Sequence, residues 1–249
     1  MRGWIAASFI GAALCGGSAM ADEIKVFSAG AVEPGVLRAA TDFKRASGHD
    51  VRVEFNTAPQ LAQRLAAGDV ADLLIAPPAA LDEQTKNGKL NPEGRIVLGR
   101  VGAGIVVRAS APNLDVATSD ALKRTLLGAD RIVYNTASTG IYLEKLFEKM
   151  GIGDALKAKT TRYPNGERVM EHIIKGSGNE VGFGAITEIK LFEPKGVKLA
   201  GPLPADVQNY TTYGAALMSQ ATSPGAAKAF LKYLASPEAK QAFAAVGIE

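Results

Sequence analysis

Cysteine is almost absent from this 249-residue sequence, and the single one, Cys15, lies in an N-terminal segment unlike the rest. The remaining residues therefore offer no disulfide, no thiol nucleophile and no cysteine ligand for a metal. Histidine is nearly as scarce, and neither His49 nor His172 has a second ligand residue at metal-binding spacing. Both are interpreted as structural or surface residues, so the sequence predicts no metal site.

The chain also lacks a large excess of charge of one sign. The formal net charge is +3, and no run of lysine and arginine is of the kind that tracks a phosphate backbone, which argues against a nucleic-acid partner. The sequence has neither a Gly-x-Ser-x-Gly elbow nor a phosphate-loop signature, and no cofactor is predicted. Asp69 and Asp72 are expected to be solvated carboxylates rather than an acid–base pair. Hydrophobic residues make up 47% of the chain, which is enough for a packed core.

The first 21 residues have the features of a secretory signal peptide. A positive charge at Arg2 precedes an apolar run over residues 4–14, and the small residues Ala19 and Ala21 occupy the positions that a signal peptidase reads. The run is shorter than the roughly 20 residues that span a bilayer. The bulky residue before Cys15 argues against lipidation. Cleavage after Ala21 and export to a bacterial periplasm are therefore predicted.

Strand and helix patterns alternate along the rest of the chain, which predicts an α/β fold with mostly parallel sheets flanked by helices. Two extended stretches, Ile96–Arg108 and Tyr210–Met218, are long for a single globular lobe. Strands that cross from one lobe to another need such a length. The sequence therefore predicts two lobes joined by two crossover strands, with residues 22–100 and 210–249 in lobe I and residues 101–209 in lobe II.

Three strand-to-helix turns consist of small and hydroxyl residues, namely Ser28–Val32, Asn56–Pro59 and Thr136–Gly140. Open α/β sheets bind ligands at the carboxyl ends of their strands, and the free N–H groups and dipole of a helix N-terminus attract anions. Two turns fall in lobe I and one in lobe II, so they could close on one ligand. The residues alone leave open whether they form a small-anion site or are ordinary helix caps.

Four segments, taken in order, resemble the periplasmic molybdate-binding proteins: Ile24–Val32, Gly68–Ile75, Ser138–Tyr142 and Ala226–Gly247. The likeness covers essentially the whole chain after residue 21. It implies the two-lobed type II periplasmic binding protein fold and a monomer. It also implies capture of a molybdate-type oxyanion between the lobes and its delivery to an inner-membrane ABC permease.

The resemblance also implies a set of ligand-binding positions. They are Ser28, Gly30, Ala31, Thr57, Ala58, Ser138, Thr139, Gly140, Tyr142 and Ala185. Where that family has two serines and a tyrosine, this chain has Ala31, Ala58 and a position near Ala185. Each missing hydrogen bond to a buried anion costs about 1–3 kcal/mol, so backbone donors are expected to carry more of the affinity. The identity of the anion, whether molybdate, another oxyanion or a carboxylate, stays open at this point.

A second resemblance points to an enzyme on the same scaffold. Ser28–Gly30, Thr136–Leu143 and Thr212–Ser236 are similar to the exported aconitate isomerases. This would imply a tricarboxylate ligand and a proton shuttle, with Glu33, Glu167 or Tyr142 as candidate bases. Nothing in their spacing singles out one of them. A binding protein without catalytic residues remains the preferred interpretation, and a binding protein that delivers another small anion, such as a carboxylate, is a third alternative.

Overall fold

The alternation expected from the sequence is present in the computed structural model, which describes residues 21–249. The predicted signal peptide lies outside the described residues except for Ala21, and so does Cys15. The described strands are β1 (Glu23–Ala29), β2 (Asp50–Asn56), β3 (Leu73–Ala76), β4 (Ile96–Arg108), β5 (Arg131–Asn135), β6 (Thr160–Tyr163), β7 (Glu180–Ala185), β8 (Val197–Pro202) and β9 (Tyr210–Leu217). The described α-helices are α1 (Glu33–Ser47), α2 (Ala58–Ala66), α3 (Pro78–Lys86), α4 (Ser119–Gly128), α5 (Ser138–Lys149), α6 (Gly153–Lys157), α7 (Gly166–Lys175), α8 (Ile186–Phe192), α9 (Pro224–Leu234) and α10 (Pro237–Ala245).

The first sheet has the strand order β2-β1-β3-β9-β4. Strand β1 pairs parallel with β2 and β3, while β9 pairs antiparallel with β3 and with the first part of β4. Every residue of β3 is buried, which is typical of a strand that has neighbours on both sides and helices on both faces.

The second sheet is joined to the first through β4, a strand of 13 residues. Gly102 is the last residue of β4 that pairs with β9, and Ala103 is the first that pairs with β7. Beyond this point β4 pairs antiparallel with β7 and β8, and the parallel strands β7, β5 and β6 complete the sheet. The antiparallel pairs of the first sheet arise because β4 leaves that sheet and β9 returns to it in the opposite direction. The predicted α/β architecture is confirmed.

Helices bury both faces of each sheet, and aromatic side chains fill the spaces between them. In the first sheet, helices α1, α9 and α10 bring together Phe43, Phe230 and Phe243. In the second sheet, Phe147 of α5 packs on Phe183 of β7 with 5.8 Å between the ring centroids. Among the helices of residues 21–249, none is both long and apolar enough to traverse a bilayer.

Asp72 is buried, so the expectation of a solvated carboxylate is wrong for this residue. Its Oδ2 accepts the N–H of Lys25 in β1 at 2.8 Å. Its Oδ1 accepts the N–H groups of Thr222 and Ser223, at 2.6 and 2.9 Å, just before α9. These N–H groups would otherwise lack partners, so the carboxylate joins three separate segments of the first sheet and its helix cover. Asp69 has an exposed side chain, as expected.

Candidate functional site

A small cavity lies where the carboxyl ends of the strands in the two sheets face each other. Its volume is about 40 Å³, and residues of both sheets and of all three predicted turns line it. One water needs about 10–15 Å³ on the same measure, so a group of a few heavy atoms fits. The lining residues are Ala29, Gly30, Ala31, Asn56, Thr57, Ala58, Pro77, Asn135, Ala137, Ser138, Thr139, Ala185, Glu188 and Tyr213.

The N-terminus of α5 opens onto this cavity without a capping side chain. Ala137 holds the N-cap position and has no side-chain acceptor, and its own N–H donates to Oδ1 of Asn135 at 2.9 Å. The first-turn N–H groups of Ser138 and Thr139 therefore have no intrahelical partner and no cap. Together with the helix dipole, they form a place where an anion is stabilised.

The N-terminus of α2 reaches the cavity from the first sheet. Thr57 is its N-cap residue, but the Thr57 hydroxyl donates to Oε1 of Gln60 at 3.0 Å and does not cap the helix. The N–H of Thr57 donates to Oδ1 of Asn56 at 3.0 Å, which uses one of the predicted turn donors. Since Pro59 has no N–H, Ala58 is left as the main backbone donor of this turn.

Two asparagines that the sequence analysis did not single out occupy equivalent places in the two sheets. Asn56 ends β2 and Asn135 ends β5, and the side-chain oxygen of each accepts a backbone N–H of the turn that follows. This leaves the side-chain NH₂ group of each free to donate into the cavity. The signal was present in the sequence, because each asparagine directly follows a strand and precedes a turn of small residues.

Seven of the ten predicted positions line the cavity, and three do not. The buried hydroxyl of Ser28 donates to the carbonyl of Ala29 at 3.2 Å. The hydroxyl of Tyr142 donates to the carbonyl of Val207 at 2.7 Å, and its ring packs on the core of the second sheet. Gly140 is buried under the end of β5. The cavity therefore brings together Gly30, Ala31, Thr57, Ala58, Ser138, Thr139 and Ala185.

Gly140 lets the first turn of α5 lie directly on the backbone of β5. A Cβ at this position would overlap the carbonyl oxygen of Asn135. We expect Gly140→Ala to destabilise the protein by about 1–3 kcal/mol, since the helix end must move away from the strand. Urea denaturation can measure this change. Gly128→Ala is the control, because a Cβ there meets no atom within 4 Å, and equal stabilities of the two variants would contradict this account.

Glu188 is a lining residue that the sequence analysis missed. It lies in the first turn of α8, and its carboxyl group occupies a gap between Gly30, in the turn after β1, and Gly166 of α7. A Cβ on Gly30 would lie 2.8 Å from Oε1 of Glu188, so the gap depends on this glycine.

Burial raises the pKa of Glu188 to about 7, and the nearby carboxylates of Glu33 and Glu167 act in the same direction. A hydrogen bond from the backbone of Ala185 offsets part of this rise.

Tyr213 enters the cavity from β9, although the resemblance had placed a tyrosine near Ala185. Its ring is buried in the core of the first sheet. Burial raises the pKa of Tyr213, and the charge of Glu188 raises it further. The phenol is therefore neutral and can donate a hydrogen bond into the cavity.

A second cavity of about 240 Å³ adjoins the first, and the two are called the outer and the inner cavity below. The two share Gly30, Asn56, Thr57 and Glu188. The other residues that line the outer cavity are Glu33, Phe55, Asn165, Gly166, Glu167, Leu191, Phe192 and Lys195.

Two of the three candidate bases, Glu33 and Glu167, lie in this outer cavity and not in the inner one. Burial raises the pKa of Glu33, and the charge of Glu167 adds to the rise, while Lys195 lowers it. The site thus has an inner part rich in N–H donors and an outer part rich in carboxylates.

The two cavities together form a cleft between the sheets, and residues on its two sides are in contact through α8. The hydroxyl of Thr187 donates to the carbonyl of Ala31 at 2.5 Å, a buried bond between residues that are 156 positions apart. This bond fixes α8, and with it Glu188, against the turn that follows β1.

The two histidines lie away from this cleft. Nδ1 of His172 lies 2.8 Å from the Tyr163 hydroxyl and its Nε2 lies 3.3 Å from Glu180, while His49 accepts the N–H of Asp22. Within residues 21–249, no group of three or more His, Cys, Asp or Glu side chains is arranged to hold a metal ion.

Comparison with known proteins places this chain among relatives of two kinds. Aconitate isomerase from Pseudomonas sp is 30% identical over 234 residues, which covers 91% of this chain and 87% of the relative. The molybdate-binding protein ModA of Escherichia coli K12 is 29% identical over 251 residues, which covers 96% of this chain and 95% of the relative. Both resemblances found in the sequence are confirmed.

The fold is shared with solved binding proteins. The periplasmic molybdate-binding protein of Azotobacter vinelandii superposes with a TM-score of 0.76 at 16% identity, covering 91% of this chain and 98% of the other. The predicted type II periplasmic binding protein fold is therefore confirmed. A family model described as bacterial extracellular solute-binding protein matches residues 24–249. The chain belongs to the family of bacterial extracellular solute-binding proteins.

Proposed function

We propose that this chain is a periplasmic solute-binding protein that captures a small carboxylate between its two lobes and delivers it to an inner-membrane ABC permease. The observation that carries the proposal is the inner cavity, where the uncapped N-termini of α2 and α5 converge from opposite sides. Residues 22–100 with 210–249 and residues 101–209 are the proposed lobes. The change of strand partners at Gly102 and Ala103 supports this division.

A carboxylate fits the lining better than a tetrahedral dianion does. The inner cavity offers N–H donors, two side-chain amides and the hydroxyls of Ser138, Thr139 and Tyr213. A fully ionised tetrahedral anion would lie against the carboxyl group of Glu188. A carboxylate needs fewer donors, and the rest of its molecule can occupy the outer cavity, where Lys195 supplies a positive charge among the carboxylates. The two curated relatives are named for molybdate and for aconitate, so both ligand classes occur among proteins similar to this one.

Thermal unfolding with a panel of anions tests the proposal. A ligand that binds only the folded state stabilises it by RT ln(1 + [L]/Kd), so at a fixed ligand concentration the anion with the highest affinity raises the Tm most. The panel contains molybdate, sulfate, phosphate, cis-aconitate, trans-aconitate, citrate and lactate. We expect a carboxylate to give the largest shift. A larger shift with molybdate would contradict the carboxylate assignment, and no shift with any member would contradict the proposed anion site.

The backbone donors of α5 can be tested at Thr139. Thr139→Ala removes one hydroxyl and is expected to weaken binding by about 0.5–1.5 kcal/mol, the net contribution of one hydrogen bond. Thr139→Pro also removes the N–H, while the first turn of a helix tolerates proline, so the affinity should fall about tenfold further. Isothermal titration with the carboxylate that gives the largest thermal shift measures both. Equal affinities of the two variants would exclude the Thr139 N–H as a donor.

One observation favours a second function at the same site. An anion-binding cavity lined by the carboxyl group of Glu188 has the composition of a proton-transfer site, and one relative at 30% identity is named aconitate isomerase. Isomerisation of an unsaturated carboxylate is therefore the second candidate function. Proton NMR of cis-aconitate with the protein would show conversion to trans-aconitate if the function is present. A spectrum unchanged after days at high protein concentration would leave transport binding as the function.

A further inference from the structure

We propose that Glu188 is the acid–base residue of the cleft. In this role, it removes a proton from a carbon next to the double bond of a bound unsaturated carboxylate and returns it to the other end of the allylic system. This inference rests on the proposed carboxylate site. It replaces the three bases that the sequence suggested, because Glu33 and Glu167 line only the outer cavity and Tyr142 is bonded to Val207.

Glu188 differs from the buried carboxylates that hold the fold together. Asp72 accepts four hydrogen bonds, and Glu180 lies within 4 Å of Arg108, Arg131 and His172. Within residues 21–249, the carboxyl group of Glu188 forms neither a salt bridge nor a hydrogen bond with another side chain. It lines both cavities, so it contacts any ligand that spans them. Apart from the hydrogen bond that it accepts from the backbone of Ala185, the carboxyl group has no structural partner in the described part of the chain and is available for chemistry.

The groups that face Glu188 suit a residue that both takes and gives a proton. Glu33 and Glu167 lie in the outer cavity with Lys195, and Tyr213 lies in the inner cavity. Burial, and to a smaller extent the two carboxylates, raise the pKa of Glu188 to about 7, so both protonation states are populated near neutral pH. A general base is most effective when its pKa lies near the working pH.

The inner cavity can stabilise the charge that develops when the proton leaves. The electron pair of the broken C–H bond delocalises through the double bond onto the oxygens of the substrate carboxylate. If the substrate carboxylate occupies the inner cavity, its oxygens lie next to the N–H groups of Ser138 and Thr139 and the hydroxyl of Tyr213. Donors placed in advance around a developing negative charge are a large source of rate enhancement.

The proposed step balances without a further reactant. Glu188 as carboxylate forms an O–H bond with the departing proton, and the substrate becomes a dienolate that keeps the electron pair. A proton then returns from Glu188 to carbon, either the one removed or one that the Glu188 O–H has exchanged with solvent, which restores the carboxylate form of Glu188 and leaves an isomer of the substrate. No electron acceptor or metal enters the scheme.

The experiment is proton exchange and isomerisation of cis-aconitate in D₂O, followed by NMR, for the wild type and Glu188→Gln. Glutamine keeps the shape of the side chain but cannot accept a proton. We expect the wild type to incorporate deuterium, and Glu188→Gln to be slower by at least about 100-fold while it still gives a thermal shift with cis-aconitate. Glu188→Asp, which retains a carboxyl group, should keep measurable exchange and covers the case in which the glutamine variant does not fold.

The pH profile and a control variant separate this role from a structural one. The wild-type exchange rate should rise with pH through the ionisation of one group near neutrality, whereas Glu83→Gln, on the exposed face of α3, should leave rate and profile unchanged. Wild-type binding of cis-aconitate without exchange or isomerisation, or either reaction at the wild-type rate in Glu188→Gln, would overturn the inference while the proposed binding function stands. Absence of any thermal shift with the carboxylates would overturn both.

Discussion

Glu188→Gln is expected to stabilise the unliganded protein at pH 8 by about 2–3 kcal/mol more than at pH 5. The pKa of Glu188 is about 7 in the folded protein, against an ordinary value of 4.5. A raised carboxyl pKa means that the folded state holds the proton more tightly than the unfolded state does. The stability contributed by the neutral form is complete below about pH 4.5 and is lost as the pH rises through 7. Glutamine stays neutral, so the variant does not show this loss.

Urea denaturation of wild type, Glu188→Gln and Glu83→Gln at pH 5 and pH 8 measures the effect. Glu83 is exposed on α3, so its replacement should change the stability equally at both pH values. A Glu188→Gln variant whose advantage over the wild type does not grow with pH would show that the carboxyl group is not held neutral in the cleft. The same result would remove the support that the raised pKa gives to its acid–base role.

Asp72→Ala is expected to destabilise the protein by about 4 kcal/mol. The substitution removes the acceptor of three backbone N–H groups, from Lys25, Thr222 and Ser223, and leaves them partly buried without a partner. Each such group costs about 1–3 kcal/mol. Asp72→Asn keeps one oxygen acceptor and should lose less than half as much.

The matched control for Asp72 is three positions earlier in the chain. Asp69 pairs with Arg64 through exposed side chains, so Asp69→Ala should cost less than about 1 kcal/mol. Chemical denaturation of Asp72→Ala, Asp72→Asn and Asp69→Ala measures the free energy of unfolding that each variant loses. Similar losses for Asp69→Ala and Asp72→Ala would mean that the connection between β1, β3 and α9 does not depend on the Asp72 carboxylate.

Much of the fold could be predicted from the sequence because the patterns that mark its strands and helices lie within short stretches of the chain. Buried strands such as β3 read as apolar runs, and helices α9 and α10 begin at Ser-Pro pairs, where serine precedes the first helical residue. Strand β6 has only four residues and none of them is buried, so no apolar pattern in the sequence marks it. The burial of Asp72 was missed because its partners at residues 222 and 223 are 150 positions away or more.

The residues of the candidate site could be predicted from the sequence only in part. The turns at Gly30 and Thr139 could be found because their composition is local, and the structure does bring them together. Tyr142 is one helical turn beyond Ser138, which places it about 6 Å further from the N-terminus of α5. Glu188 and Tyr213 reach the cavity only because the pairing of β4 with β7 and β9 sets α8 beside the turn after β1. No local pattern carries that information.

The strand order has a consequence for how the chain acquires its structure. All strands of the second sheet lie in one continuous stretch that ends at β8, whereas the first sheet needs β1 and β9 together. Its links include a bond between Ser223 and Glu23, which are 200 positions apart. Contacts between such distant segments form slowly, because a long loop must close first. Hydrogen-exchange protection should therefore appear in β5 and β7 before β1 and β3. Until β9 arrives, the apolar strand β3 has an open edge at which one unfinished chain can pair with another.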